Sequence, residues 1–100
     1  MNLPHDRCNW LIPNRVLIGA APREEDLQNI LDVGVNVFVN LQENNDINNK
    51  IKNYIHFPMK NGRVRSLNET IKFVDKIIKL IYKDYILYIH YHGVTKELEL

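Results

Sequence analysis

The densest chemistry in this 100-residue chain lies in four consecutive residues, His90-Tyr91-His92-Gly93. Two imidazoles flank a phenol, and a glycine comes next. The histidines could serve as a metal pair or as a nitrogen that carries phosphate. Just before them, Tyr85-Ile86-Leu87-Tyr88-Ile89 is an uncharged run of aliphatic and aromatic residues. Such a run reads as a strand buried on both faces. A buried strand that opens into a polar, glycine-bearing turn is where open α/β sheets hold ligands, beyond the carboxyl ends of the strands. Other candidates are sparse. Cys8 is the single cysteine, far upstream of this turn. It could be a displaced nucleophile, but an ordinary half-buried thiol is the simpler reading. His5 and His56 add no ligand spacing, so no metal site and no cofactor is expected. Lys60, Arg63 and Arg65 form a small basic cluster that a solvated loop would also explain. Tyr82, Tyr85 and Tyr88 read as core and rim packing.

Composition sets the outer limits. One hundred residues make one small domain, and 45% hydrophobic content is enough for a core. Thirteen basic residues balance twelve acidic ones, for a formal net charge of +1. That excludes the electrostatic footprint of a nucleic-acid or membrane-surface protein. No stretch approaches the roughly 18 apolar residues of a membrane span. No signal peptide opens the chain, and a lone cysteine cannot make an intrachain disulfide. An intracellular, cytoplasmic location is therefore expected.

The elements that must position the turn are set by local patterns. Trp10-Leu11-Ile12 and Arg15-Val16-Leu17-Ile18, joined by Pro13-Asn14, predict an antiparallel hairpin. A helix is predicted at about residues 23–32. Pro22 suits its first turn, Glu24, Glu25 and Asp26 suit its positive end, and Leu27, Ile30 and Leu31 form its stripe. Gly34 stands where a left-handed cap is needed. Val35, Val37, Val39 and Leu41 share one face of the next strand. Residues 42–53 are polar and Asn-rich, a loop with a helical turn around 47–51. A short strand over 54–57 stops at Pro58, and Asn61-Gly62 signals a turn. Ser66 and Glu69 match a capping box that opens a helix running to about Lys83. Ile71, Val74, Ile78 and Ile81 line one face of it, widened by Phe73, Ile77 and Leu80. Helix then strand at this point suits a right-handed crossover. The fold class is α/β, with a mostly parallel central sheet flanked by helices.

In this order the pieces resemble the dual-specificity phosphatases of the cysteine-dependent protein tyrosine phosphatase superfamily. Asn9-Trp10-Leu11-Ile12-Pro13-Asn14-Arg15-Val16-Leu17-Ile18-Gly19 resembles their opening. Val35-Asn36-Val37-Phe38-Val39-Asn40-Leu41 resembles the strand after their first helix. Tyr54-Ile55-His56-Phe57-Pro58-Met59-Lys60-Asn61-Gly62 resembles the segment with the general-acid loop. Leu87-Tyr88-Ile89-His90-Tyr91-His92-Gly93 resembles the strand and start of the signature loop. The resemblance spans nearly all of residues 1–100 and implies one domain of the phosphatase type. It also implies that His90 supports the loop through hydrogen bonds.

The family chemistry needs a cysteine thiolate to attack phosphorus, an arginine to clamp the phosphate, and an aspartic acid to protonate the leaving oxygen. The matching positions here hold Tyr91, Glu97 and Asn61. A phenol has a reference pKa of about 10 against about 8.5 for a thiol. Glu97 puts an anion where phosphate needs a cation, and the Asn61 amide is no general acid. The loop remnant is His90, Tyr91, His92, Gly93, Val94, Thr95 and Lys96, after which the match dissolves. The sequence ends at Leu100, before the helix whose N-terminus would complete a phosphate nest. The resemblance and its gaps together predict a C-terminally truncated, catalytically dead relative, either a binding-type pseudophosphatase or a decayed, frameshifted remnant. Two alternatives stand beside it: an active phosphatase using unconventional residues or a missing segment, and an unrelated α/β interaction module. The expected partner is a phosphoprotein or another protein, with no nucleic acid and no membrane. Self-association through an uncovered sheet face is also expected.

Overall fold

A computed structural model of the chain describes residues 3–44, 50–59 and 66–91. Five strands and two helices succeed one another as β1 (Cys8–Ile12), β2 (Val16–Gly19), α1 (Glu24–Asp32), β3 (Val37–Asn40), β4 (Tyr54–His56), α2 (Leu67–Tyr82) and β5 (Leu87–His90). The strands form one sheet in the order β1-β2-β5-β3-β4. β1 pairs antiparallel with β2, and all other pairings are parallel. This is the α/β class expected, with β5 at the centre. The Asn61-Gly62 turn and most of the helical turn expected around 47–51 lie outside the described residues.

Local chemistry accounts for most element boundaries. Asn14 takes a positive φ of 60° in the β1–β2 turn, which Arg15 closes by donating its N–H to the Ile12 carbonyl at 2.9 Å. α1 ends at Gly34, whose φ of 103° only glycine adopts without strain. The Ser66 hydroxyl accepts the Glu69 N–H at 3.3 Å and starts α2. Pro22 departs from expectation. The N-cap of α1 is Arg23, so the proline precedes the helix rather than sitting in its first turn.

Strand alternation sorts the core into two layers. Leu17, Phe38 and Tyr88 face α1 and pack with Leu27, Ile30 and Val35. Val37, Val39 and Leu87 face the other way and meet Phe73, Ile77, Leu80 and Ile81 of α2. Leu87 and Tyr88 are fully buried, one in each layer. The strand they share is thus buried on both faces, as its composition demands.

The face of α2 is a correction to the sequence reading. Ile71, Val74 and Ile78 stay 55%, 46% and 44% exposed, and Phe73, Ile77 and Leu80 contact the sheet instead. The apolar arc of this helix is wider than one sheet contact can cover. Phe73 decides which side turns inward, because its ring stacks on Phe57 with centroids 4.1 Å apart and planes 13° apart. Leu67 and Tyr82 extend the exposed stripe at either end. Tyr82, at 84% exposure, is therefore no packing residue, whereas Tyr88 is core.

Candidate functional site

Parallel strands end together, and here three of the four end on polar side chains. Gly19 of β2, His90 of β5, Asn40 of β3 and His56 of β4 are register partners in one row across the sheet. Alternation puts His90 and Asn40 on the α1 side, two residues beyond Tyr88 and Phe38 of the same face. The row lies at the carboxyl ends of the strands, where α/β sheets bind ligands.

Asn40 braces the row. It is 2% exposed, and all its side-chain polar atoms are used. Its Nδ2 donates to Tyr54 Oη at 2.8 Å and to the Asn44 carbonyl at 2.8 Å, and its Oδ1 accepts the Gln42 N–H at 2.8 Å. His56 Nε2 lies 2.6 Å from the Gln42 carbonyl. A carbonyl only accepts, so this nitrogen carries the proton. The loop after β3 is thereby tied to both β3 and β4.

His90 is the exception. It is 5% exposed, and neither ring nitrogen has a hydrogen-bond partner among the described residues. Burial lowers its pKa to about 4, so the imidazole is neutral near pH 7. Its ring leans on Tyr88, with centroids 5.6 Å apart. It opens into a cavity of about 190 Å³ lined also by Ala21, Pro22, Asn40, Gln42 and Tyr54.

Beneath Gly19 runs a second polar chain. The Arg7 N–H donates to His5 Nδ1 at 3.0 Å, which leaves the proton of a neutral imidazole on Nε2. That nitrogen reaches Tyr88 Oη at 3.0 Å, and the phenol donates to the Ala20 carbonyl. Burial, seconded by Cys8, pushes the Tyr88 phenol well above its ordinary range. Gly19 makes room for this chain. A Cβ there would sit 2.6 Å from Cys8 Cβ, 2.7 Å from the Arg7 carbonyl and 2.7 Å from Tyr88 Oη. Nearby, Asp26 accepts Arg7 Nη2 at 2.5 Å and Arg23 Nε at 3.2 Å. Burial alone would raise its pKa, but the Arg23 hydrogen bond and the surrounding positive groups hold it below the ordinary carboxylate value.

Of the residues singled out from sequence, His90 and Tyr91 fall in this region. Tyr91 comes directly after β5, donates its N–H to the Gly19 carbonyl at 3.2 Å, and is half-buried against the α2-side core. Cys8 is buried in β1 and its Sγ donates to the His5 carbonyl at 3.4 Å. Burial raises its pKa, which disfavours the thiolate. Asn61, Glu97, His92, Gly93, Val94, Thr95 and Lys96 lie outside the described residues, as do Lys60, Arg63 and Arg65. Sequence reasoning misses Asn40, Gln42, Tyr54 and His56 as site residues. The signal for Asn40 and His56 is the polar residue that closes an apolar strand, whereas Gln42 lies beyond β3 and Tyr54 opens β4, where no such signal marks them. A second, more open groove of about 360 Å³ lies between β4 and α2, with His56, Phe57, Glu69, Phe73, Lys72 and Lys76 on its walls. Among the described residues no cluster of three His, Cys, Asp or Glu could hold a metal, and no helix is long and apolar enough to cross a membrane.

The fold is shared with TpbA of P. aeruginosa. One crystal structure of TpbA matches with a TM-score of 0.63 over 84% of this chain, at 12% identity. A cysteine-to-serine variant of TpbA in complex with pTyr matches with a TM-score of 0.65 over 86% of this chain, at 11% identity. The matches cover 58% and 59% of the TpbA chains, so this chain spans less than two thirds of their length. No family model matches the sequence, and neither does any curated protein. Likeness to TpbA at this identity establishes a phosphatase-like fold, and the chemistry has to be read from this chain's own residues.

Proposed function

We propose that this chain is a non-catalytic, phosphatase-like binding domain, a pseudophosphatase that takes a phosphoprotein partner. One observation carries this reading. The residue after His90 at the end of the central strand is Tyr91, packed against the α2-side core, while the only thiol of the chain is buried and hydrogen-bonded in β1. A phenol is a poorer nucleophile than a thiolate towards a phosphate dianion, and a buried thiol cannot reach one. The resemblance at Asn61 and Glu97 points the same way, since it leaves neither acid nor arginine clamp. Support for an anionic partner comes from the groove between β4 and α2, where Lys72 and Lys76 outnumber Glu69 among the described residues.

Turnover on a small aryl phosphate is the test. The purified chain should release no more phosphate than a buffer blank, and Cys8→Ser should change nothing. Saturable hydrolysis that survives a second purification and is lost in Cys8→Ser or Tyr91→Phe would overturn the reading.

A further inference from the structure

We propose that His5 is a proton-operated latch, which fastens residues 4–6 to β5 and to the segment after β2 and lets them go when its ring takes a second proton. Each end of the latch has a determinate role. The Arg7 N–H donates to His5 Nδ1 at 3.0 Å, His5 Nε2 donates to Tyr88 Oη at 3.0 Å, and the phenol donates to the Ala20 carbonyl. The Ala20 N–H returns to the Arg7 carbonyl at 3.0 Å. These four hydrogen bonds form a closed loop in which every donor meets an acceptor. Only the neutral imidazole with its proton on Nε2 completes it.

A second proton breaks the loop. It must go on Nδ1, which then points an N–H at the Arg7 N–H. Turning the ring over gives no relief, since both edges of an imidazolium donate. The groups around the ring weigh against that proton as well. Burial is the largest influence and Arg7 and Arg23 repel the charge, while Asp26 of α1 and Asp6 attract it, and the pKa is lowered on balance. Tyr88 and Cys8, raised by burial, stay neutral. Once residues 4–6 swing free, the imidazole returns to about 6.5. The latch therefore holds fully above about pH 6.5 and loosens as pH falls below it. Its other ties are long. Cys8 Sγ donates to the His5 carbonyl at 3.4 Å, and Asn29 Nδ2 donates to the Pro4 carbonyl at 3.4 Å. Arg7 is the hinge, because its guanidinium stays on Asp26 at 2.5 Å. Ala20 leads into Ala21 and Pro22, which wall the cavity beside His90, so the latch backs one side of the strand-end row.

The test is NMR of the full chain, ¹⁵N-labelled, from about pH 7 to about pH 5. At the upper end the ring shifts of His5 should show Nδ1 bare and Nε2 protonated. Protection of the Arg7 amide, taken against its intrinsic exchange rate at each pH, should fall about tenfold per pH unit below about pH 6.5. It should level off where the closed latch also binds the proton. His5→Asn separates the latch from other titrations. An asparagine oxygen accepts the N–H two residues on without titrating, so the Arg7 protection should become level. His90→Phe, which removes the buried titration in β5, should keep the fall. The opposite tautomer at pH 7 would overturn the proposal, as would level Arg7 protection in the wild type. A fall that persists in His5→Asn, or one that disappears in His90→Phe, would do the same.

Discussion

Acidification should destabilise this protein chiefly through His90. His90 is buried without a partner among the described residues, and burial lowers its pKa from 6.5 to about 4. In the unfolded chain the imidazole returns to about 6.5. Between those values the unfolded state holds a proton that the folded state refuses. Stability is therefore fully present above about pH 6.5 and is lost as pH falls towards 4. At about 1.36 kcal/mol per pH unit, the gap amounts to about 3 kcal/mol. Domains of this size are stable by about 5–15 kcal/mol, so the loss is a large share of the total. His5, lowered by burial as well, adds to the same slope. Asp26, lowered by Arg23 and its neighbours against the pull of burial, contributes only below the ordinary carboxylate range. His90→Phe separates these contributions, because it removes one titration and keeps a ring. Urea unfolding monitored by the single tryptophan, Trp10, gives the stability at each pH. The difference between wild type and His90→Phe should change by about 3 kcal/mol from about pH 7 to about pH 4. A change under about 1 kcal/mol would refute the reasoning, since it would mean that the folded protein hydrates the charged ring.

Three further outcomes rest on contacts within the sheet and on the outer face of α2. Gly19→Ala should destabilise the chain by about 1–3 kcal/mol, read as a lower urea midpoint, because its Cβ meets Cys8, the Arg7 carbonyl and Tyr88 at once. Tyr88→Phe should cost about 1–3 kcal/mol by the same measurement, since it leaves the half-buried His5 N–H and Ala20 carbonyl without the phenol that joins them. Self-association is expected from the sequence through an uncovered sheet face, but both faces carry a helix, so we propose the outer face of α2 in its place. Sedimentation should show dissociation to monomer in Ile71→Lys/Ile78→Lys, while a wild-type monomer across a wide concentration range would count against it.

Most of the fold is legible in the sequence because its signals are local. Pro13-Asn14 makes the hairpin turn, Gly34 ends α1, Ser66 opens α2, and the run ending in Ile89 is buried on both faces. The inward face of α2 is not legible. Ile71 and Ile77 are equally apolar, and only the stacking of Phe57 on Phe73, sixteen residues apart, chooses between them. The site is half legible. His90 stands out at the end of its strand, but its neighbours Asn40 and His56 come from strands whose register depends on the whole sheet. Nothing within a short window says that an asparagine fifty residues earlier will lie beside that histidine.

The sheet order also governs how the chain can fold. β2 and β3 do not touch each other, and β5 lies between them. Until β5 arrives, the hairpin and the β3–β4 pair are separate pieces, each presenting an open edge. Yet β5 is the last of the five strands in the chain, and it pairs with a β2 that begins 71 residues earlier. A parallel strand inserted between two others closes one long loop for each ladder that it forms. The sheet therefore closes late. During synthesis the chain carries both halves, exposed and unjoined, until residues 87–90 have left the ribosome. Substitutions in β5 should thus act first on the yield of folded protein, through the time spent with open edges, and only second on the stability of what has folded.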